Sequence, residues 1–239
     1  KDDKYFFDDG DCTFVVGDFW FKLHKVILSR DPESMFRDMF SIPQCTTTPP
    51  GASLGDELEP ISLSGDSADE FRALCWALYA LPPEIQAQNN FEANIERLLA
   101  VATMSHKYSL SSFEAWALGV IWIHSRSKRD YLNTCPQDML DGIYEAATAG
   151  GRKDLCGLVE QNWLSRLKRR ELQLRHALDF GETHGMALFL ACAYYQQARS
   201  LRSPTLGAGS GVADFSYLNL THTQLHRLLA GYCTLSLFW

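Results

Sequence analysis

Asp9–Phe40 reads DGDCTFVVGDFWFKLHKVILSRDPESMFRDMF, and this stretch decides the fold. CTFVV (12–16) is β-rich throughout, as a buried strand is, and FWFKL (19–23) returns beside it. Gly17-Asp18 supplies the turn between them. From His24 the spacing changes, and Val26, Ile27 and Leu28 fit a short helix ending near Arg30. Asp31-Pro32 is a helix-start signal, with Asp as N-cap and Pro at the first helical position. Met35, Phe36, Met39 and Phe40 then fall at helical spacing on one face.

Working outward, residues 44–60 (QCTTTPPGASLGDELEP) read as a loop, with Thr48-Pro49 either an unmodified pair or a proline-directed phosphosite. Pro60–Leu63 reads as a third short strand. Ser67-Ala-Asp-Glu70 is a capping box that opens a helix through Phe71, Leu74, Cys75, Leu78 and Tyr79, and Pro82-Pro83 stops it. Asn94–Tyr108 has the pattern of a helix with Ile95, Leu98, Leu99, Ala102 and Met104 as apolar positions. Ser111-Ser-Phe-Glu114 is a second capping box, heading a helix to about Ser125. The polar run SRSKRD places a domain boundary near Ser127–Asp130, giving an N-terminal domain over 1–128 and a second over 129–239.

The second part is helical in pattern. Thr134–Ala149 begins with a T-x-x-Q cap at Thr134 and Gln137 and ends at Gly150-Gly151. Lys153 to Phe180 is one long helix or two, striped by Leu155, Leu158, Val159, Trp163, Leu167 and Leu174, with Gly181 and Gly185 as punctuation beyond it. Gly185–Leu201 is apolar nearly all round and is expected to be central in its packing. Residues 202–214 read as a Gly/Ser loop. Thr221-x-x-Gln224 caps a last helix through Leu225, Leu228, Leu229 and Tyr232.

Residues 5–126 resemble the BTB/POZ family, especially its members in filamentous fungi. The resemblance rests on Asp9-Gly10-Asp11-Cys12-Thr13-Phe14, on Phe21-Lys-Leu-His-Lys25, on Ile27-Leu28-Ser29 and on Phe36-Arg-Asp-Met-Phe40. Phe71-Arg-Ala-Leu-Cys-Trp-Ala-Leu-Tyr79 with Leu81-Pro-Pro-Glu84 looks like the family's third helix and its fungal ending. It implies an α+β fold, a three-stranded sheet capped by about five helices, here followed by an all-α extension. One departure is Glu33 where the family has Ser, with Ser34 one place on, so that turn is expected to run one residue longer. Another is the short KDDKYFFD leader, which leaves little room for the helix and strand that many members swap on dimerising. The resemblance also implies that Asp11 and Lys25 are the oppositely charged pair lining a pocket at the dimer groove. Read by position alone, Asp11 caps a turn and Lys25 is solvated. His24 matches the His that begins the first helix and is expected to be packed and hydrogen-bonded.

Composition narrows the function. A net charge of −7 disfavours nucleic-acid and anionic-membrane binding. The longest apolar runs, Ala115–Ile123 and Met186–Tyr195, fall short of the roughly 20 residues that span a bilayer. The start KDDKYFFDDGD lacks the apolar stretch of a secretory leader. Seven cysteines, an odd number with no CxxC, are read as reduced and mostly buried, which favours cytoplasm or nucleus.

No nucleotide, dinucleotide, zinc-protease or nucleophile-elbow motif occurs; Gly207, Gly209 and Gly211 lack a preceding strand. His222 and His226 lie four apart and are weak metal candidates with no acidic or Cys residue nearby. Burial is expected to silence Cys12, Cys75 and Cys192 as nucleophiles. Lys168-Arg-Arg170 with Arg175 and His176 is the one basic cluster, interspersed with Glu160, Glu171 and Asp179; it reads as a solvated face or as a docking surface for an acidic partner. The Phe238-Trp239 tail either packs back or mates with another chain.

The leading expectation is a non-catalytic protein-interaction module without cofactor or metal. It self-associates, recruits a protein partner, or serves as an adaptor on a cullin scaffold. The alternatives are a transcription or chromatin scaffold, and an enzyme with unfamiliar machinery in the helical half.

Overall fold

The computed structural model describes residues 1–42, 60–90, 93–126, 131–201 and 215–237. Cys45, Thr48-Pro49, most of the 44–60 stretch, the 127–130 boundary, the 202–214 stretch with its glycines, and Phe238-Trp239 lie outside the described residues. The chain divides into two compact units, Lys1–Arg129 with Glu145–Arg152, and Asp130–Tyr144 with Lys153–Trp239. The architecture is α+β: a small mixed sheet followed by many helices.

In the first unit β1 (Cys12–Val16) and β2 (Phe19–Leu23) pair antiparallel, with Phe14 opposite Phe21. Gly17 makes the turn at φ +57, a left-handed conformation that glycine adopts without a Cβ clash. A third strand, β3 (Ile61–Ser62), pairs parallel to β1, so the order is β2-β1-β3. The buried positions of β1 alternate along the strand, and Cys12, Phe14 and Val16 face the core.

Among the described residues this unit also carries the helices α1 (Lys25–Leu28), α2 (Met35–Ser41), α3 (Ala68–Tyr79), α4 (Pro82–Ala87), α5 (Ile95–Lys107) and α6 (Ser111–Ser125). Ser67 caps α3 by accepting from the Glu70 N–H at 3.1 Å, and Asn94 caps α5 through the Arg97 N–H at 2.9 Å. Helix α4 arises where the Pro82-Pro83 pair predicts only a stop to α3; proline is tolerated at the first turn because those N–H groups have no helical partner.

Two caps differ from expectation. Helix α2 is capped by Ser34, not Asp31: buried Ser34 Oγ accepts from the Phe36 N–H and donates to the Leu28 carbonyl at 2.9 Å. Asp31 instead accepts from the Glu33 N–H at 3.1 Å in a local turn. Ser111 is the first residue of α6 rather than its cap, since Glu114 is drawn away to His106 Nδ1 at 2.9 Å. The Asp66 carboxylate is likewise bound, by Lys107 Nζ and by the Tyr108 hydroxyl, whose ring stacks on Phe36 at 4.5 Å.

The second unit is helical throughout its described residues. Helix α7 (Gln137–Ala149) gives its first half to this unit, and its end, with Gly150 to Arg152, belongs to the first. Then come α8 (Lys153–Lys168), α9 (Leu174–Thr183), α10 (Ala187–Leu201) and α11 (His222–Leu237). The span 153–180 is therefore two helices, broken where Arg170 takes φ +60. Gly181 lies inside α9, where an added Cβ would come within 2.9 Å of Leu190 Cδ2; Gly185 ends that helix at φ +65.

The expected T-x-x-Q cap at Thr134 does not form. Thr134 Oγ1 donates to the Tyr131 carbonyl in a 3-10 turn, and Gln137 exchanges hydrogen bonds with the Gln173 backbone. Thr221 and Gln224 do form a reciprocal capping box at 3.1 and 3.2 Å. Helix α10 packs against α8, α9 and α11, but it is not apolar-buried all round: Phe189, Ala193 and Ala198 are buried while Leu188 is 77% exposed.

Buried Arg166 on α8 holds this unit's polar core. Its Nη1 donates to the Leu132 and Cys135 carbonyls at 2.9 and 2.8 Å, fixing the 3-10 turn onto the helix. Charge-assisted hydrogen bonds contribute more than neutral ones, and a buried carbonyl left unmatched is costly. Arg166→Met is expected to destabilise the chain by about 2–4 kcal/mol, measured by urea unfolding followed by circular dichroism.

Candidate functional site

The first unit carries a groove of about 540 Å³. Its walls are the N-terminal residues Asp2 to Tyr5, Phe19 at the start of β2, one side of α3, and Glu96, Arg97 and Ala100 of α5. On α3, Asp69, Arg72, Ala73 and Trp76 line it, at the three- and four-residue spacing that puts side chains on one helical face. The inner face of the same helix carries Phe71, Leu74 and Cys75 into the core.

The N-terminal segment reaches the groove by pairing with β2. Phe6 bridges Lys22 in parallel, the Asp2 N–H donates to the Trp20 carbonyl at 2.8 Å, and the Lys22 N–H donates to the Tyr5 carbonyl at 3.0 Å. This covers the outer edge of β2 with the chain's own backbone, where bare N–H and C=O groups would otherwise invite another strand. By sequence KDDKYFFD is no more than a short leader. Its adjacent aromatics Tyr5, Phe6 and Phe7 are the signal that this segment must pack somewhere.

Asp2 anchors it. Its carboxylate accepts from the Lys4 and Tyr5 N–H groups at 3.1 and 2.9 Å and from Arg72 Nε at 2.7 Å. Burial opposes the ionised form, but the Arg72 guanidinium and the two N–H groups outweigh it and hold the Asp2 pKa below the ordinary carboxylate value. Arg72 also bonds Asp69 and lies 4.2 Å over the Phe19 ring, while Arg97 lies 4.8 Å over Trp76. The floor is thus aromatic and roofed by guanidinium groups, with Asp3, Asp69, Glu70 and Glu96 around them. Phe19 and its neighbour Trp20 stay 40% and 44% exposed.

The candidate residues fall in different places. Asp11 Oδ1 accepts from the Lys25 backbone N–H at 2.7 Å, capping α1, and Lys25 Nζ lies 5.7 Å over the Phe40 ring. Asp11 and Lys25 are therefore brought together through the backbone, away from the groove lining. His24 is packed and hydrogen-bonded: its Nδ1 meets the Tyr79 hydroxyl at 3.0 Å, its Nε2 lies 3.3 Å from Asp9, and its ring lies against Phe7. His222 and His226 are both exposed on α11, and no group of three or more His, Cys, Asp or Glu placed to hold a metal occurs among the described residues.

None of the described cysteines forms a disulfide. Cys12, Cys75 and Cys135 are buried, Cys156 and Cys192 are half-buried and Cys233 is exposed, so burial is less general than expected. Burial pushes the Cys12 thiol up to about 12 and the Cys75 thiol well above its ordinary value. No described helix is long and apolar enough to cross a membrane.

Comparison of the chain with protein-family models, curated proteins and solved structures gave no match.

The Asp2–Arg72 link has a pH signature. The folded pKa of Asp2 lies below its unfolded value of about 3.9, so its stabilisation is fully present above that pH and is lost as pH falls through the folded pKa. Asp2→Asn is expected to lower stability at neutral pH by about 1–2 kcal/mol, allowing for the partly solvated guanidinium. Denaturant unfolding of both proteins should show the gap closing as the pH drops below about 3.9.

Proposed function

We propose that this chain is a non-catalytic protein-interaction protein, built from a BTB/POZ-type N-terminal module and a helical extension. It works by presenting surface to other chains, through self-association, recruitment of a partner, or both. A cullin scaffold is the partner class that the family resemblance implies, in the role of a ubiquitin-ligase adaptor.

Three observations support this reading. Residues 9–40 fold into hairpin, short helix, turn and helix against a three-stranded sheet, the order the resemblance implies. The N-terminal segment covers β2 in cis, which favours association through side-chain surfaces over exchange of that strand. The carrying observation is that two large rings of β2 are half-exposed: Phe19, which lines the groove, and Trp20, which follows it on the strand's other face. Large rings left at a surface beside a preformed groove are typical anchors of protein contacts, since each removes much apolar area from water on binding.

The test combines sedimentation of the purified chain with binding to a purified cullin N-terminal domain. Self-association or cullin capture is expected, and Phe19→Ser with Trp20→Ser should abolish it while circular dichroism and Tm stay near wild type. A chain that remains monomeric and captures no cullin overturns the reading, as does association that the double variant leaves intact.

A further inference from the structure

A cleft of about 490 Å³ lies within the second unit. It is bounded by the end of α8, the turn leading into α9, the middle of α10 and the 3-10 turn of residues Ser216–Leu218. Its charge is one-sided. Among the described residues Lys168, Arg170 and Arg175 line it and no Asp or Glu does, on a chain whose net charge is −7.

The neighbouring carboxylates are committed elsewhere. Glu171 is held by Arg169 at 2.6 and 3.0 Å, and Asp179 by Arg175 at 3.1 Å and by Gln224 at 2.6 Å. Arg175 is thereby part-neutralised and also donates to the Asn219 carbonyl at 3.0 Å. The Lys168 and Arg170 side chains are exposed and make no hydrogen bond or ion pair among the described residues. Arg170 sits at φ +60, a left-handed conformation in which glycine would be unstrained.

Apolar and amide groups complete the lining. Leu172, Leu174 and Leu218 are half-buried and give it an aliphatic surface. Gln196 on α10 carries an amide oxygen that is buried and has no partner among the described residues. The terminal amide torsion is soft, so a modest rotation presents it to an N–H donor in the cleft.

We propose that this cleft docks a short acidic peptide segment of a partner protein, one with an aliphatic residue beside its carboxylates. Such a segment matches each kind of lining group: carboxylates for Lys168 and Arg170, a backbone N–H for Gln196, and an aliphatic side chain for the leucines. A bare inorganic anion would leave the leucines wet, and a nucleic acid would be repelled by the rest of the chain. The volume suits a few residues of extended chain, within the usual range for a ligand cleft. The proposal rests on the second unit alone and does not depend on the N-terminal unit being a BTB/POZ module.

The experiment uses the full chain and fluorescence anisotropy. The probe is a labelled, N-acetylated pentapeptide mixture with Asp, Glu or Leu at every position; a matched mixture with Lys for both acids is the control. The acidic mixture should bind and the basic one should not, with affinity falling as salt is raised. Arg170→Gly should weaken binding about tenfold, the worth of a single charge-assisted hydrogen bond, while leaving Tm unchanged or higher because glycine fits that φ. The Phe19→Ser, Trp20→Ser variant should bind as wild type does. Equal binding of both mixtures, an unchanged affinity in Arg170→Gly, or full displacement by inorganic phosphate would each overturn the proposal.

Discussion

Phe71 is the side chain on which the first unit turns. It projects from α3 onto both long strands, 5.8 Å from Phe14 and 4.9 Å from Phe21, which are cross-strand partners. Phe36 of α2 then closes on Phe14 at 5.7 Å, and Tyr108 stacks on Phe36. All four phenylalanines are fully buried. Burying each ring contributes about 2–3 kcal/mol, and the edge-to-face pairs add orientation to that burial. The two Phe71 ring contacts thus tie the helix to the hairpin. Asp69, Arg72 and Trp76 of α3 take their places in the groove because the buried face of Phe71, Leu74 and Cys75, packed on the strands and on α5, sets the helix's rotation about its own axis.

Charge is the second organising element, and it acts by placement more than by total. In the first unit, Asp2 and Arg72 tie the N-terminal segment to α3 across 70 residues of sequence. In the second, acidic side chains are drawn into local pairs and leave a basic cleft on an acidic chain. Surface pairs such as Arg175–Asp179 add little stability. Their effect here is to decide which cations stay available. The two surfaces are accordingly unlike: one aromatic and acid-rimmed, the other aliphatic and basic. These two faces are what the proposed protein-interaction role draws on.

Much of the fold is legible in the sequence because it depends on short-range rules. The β-rich run CTFVV, the Gly17 turn and the caps at Ser67 and Thr221 each act over a few residues, and each appears in the structure. The failures share one cause. Asp31, Ser111 and Thr134 carry cap chemistry, but the competing partners come from elsewhere: Ser34 is pulled in by Leu28, Glu114 by His106, and Gln137 by Gln173. Helix α10 misleads for a related reason. Its composition is apolar, yet only the neighbours α8, α9 and α11 determine which of its faces is covered.

By itself, the sequence determined the α+β class, the hairpin, and the order and approximate limits of most helices. Local backbone preference and hydrophobic period carry that information within a dozen residues. Tertiary structure alone decided where the surfaces lie. It ran the acidic leader along β2, caught Asp2 with Arg72, spent Asp11 as a cap for α1, and left Lys168 and Arg170 without counter-charges among the described residues. Those outcomes depend on distances between residues far apart in the chain, and such distances exist only once both cores have closed.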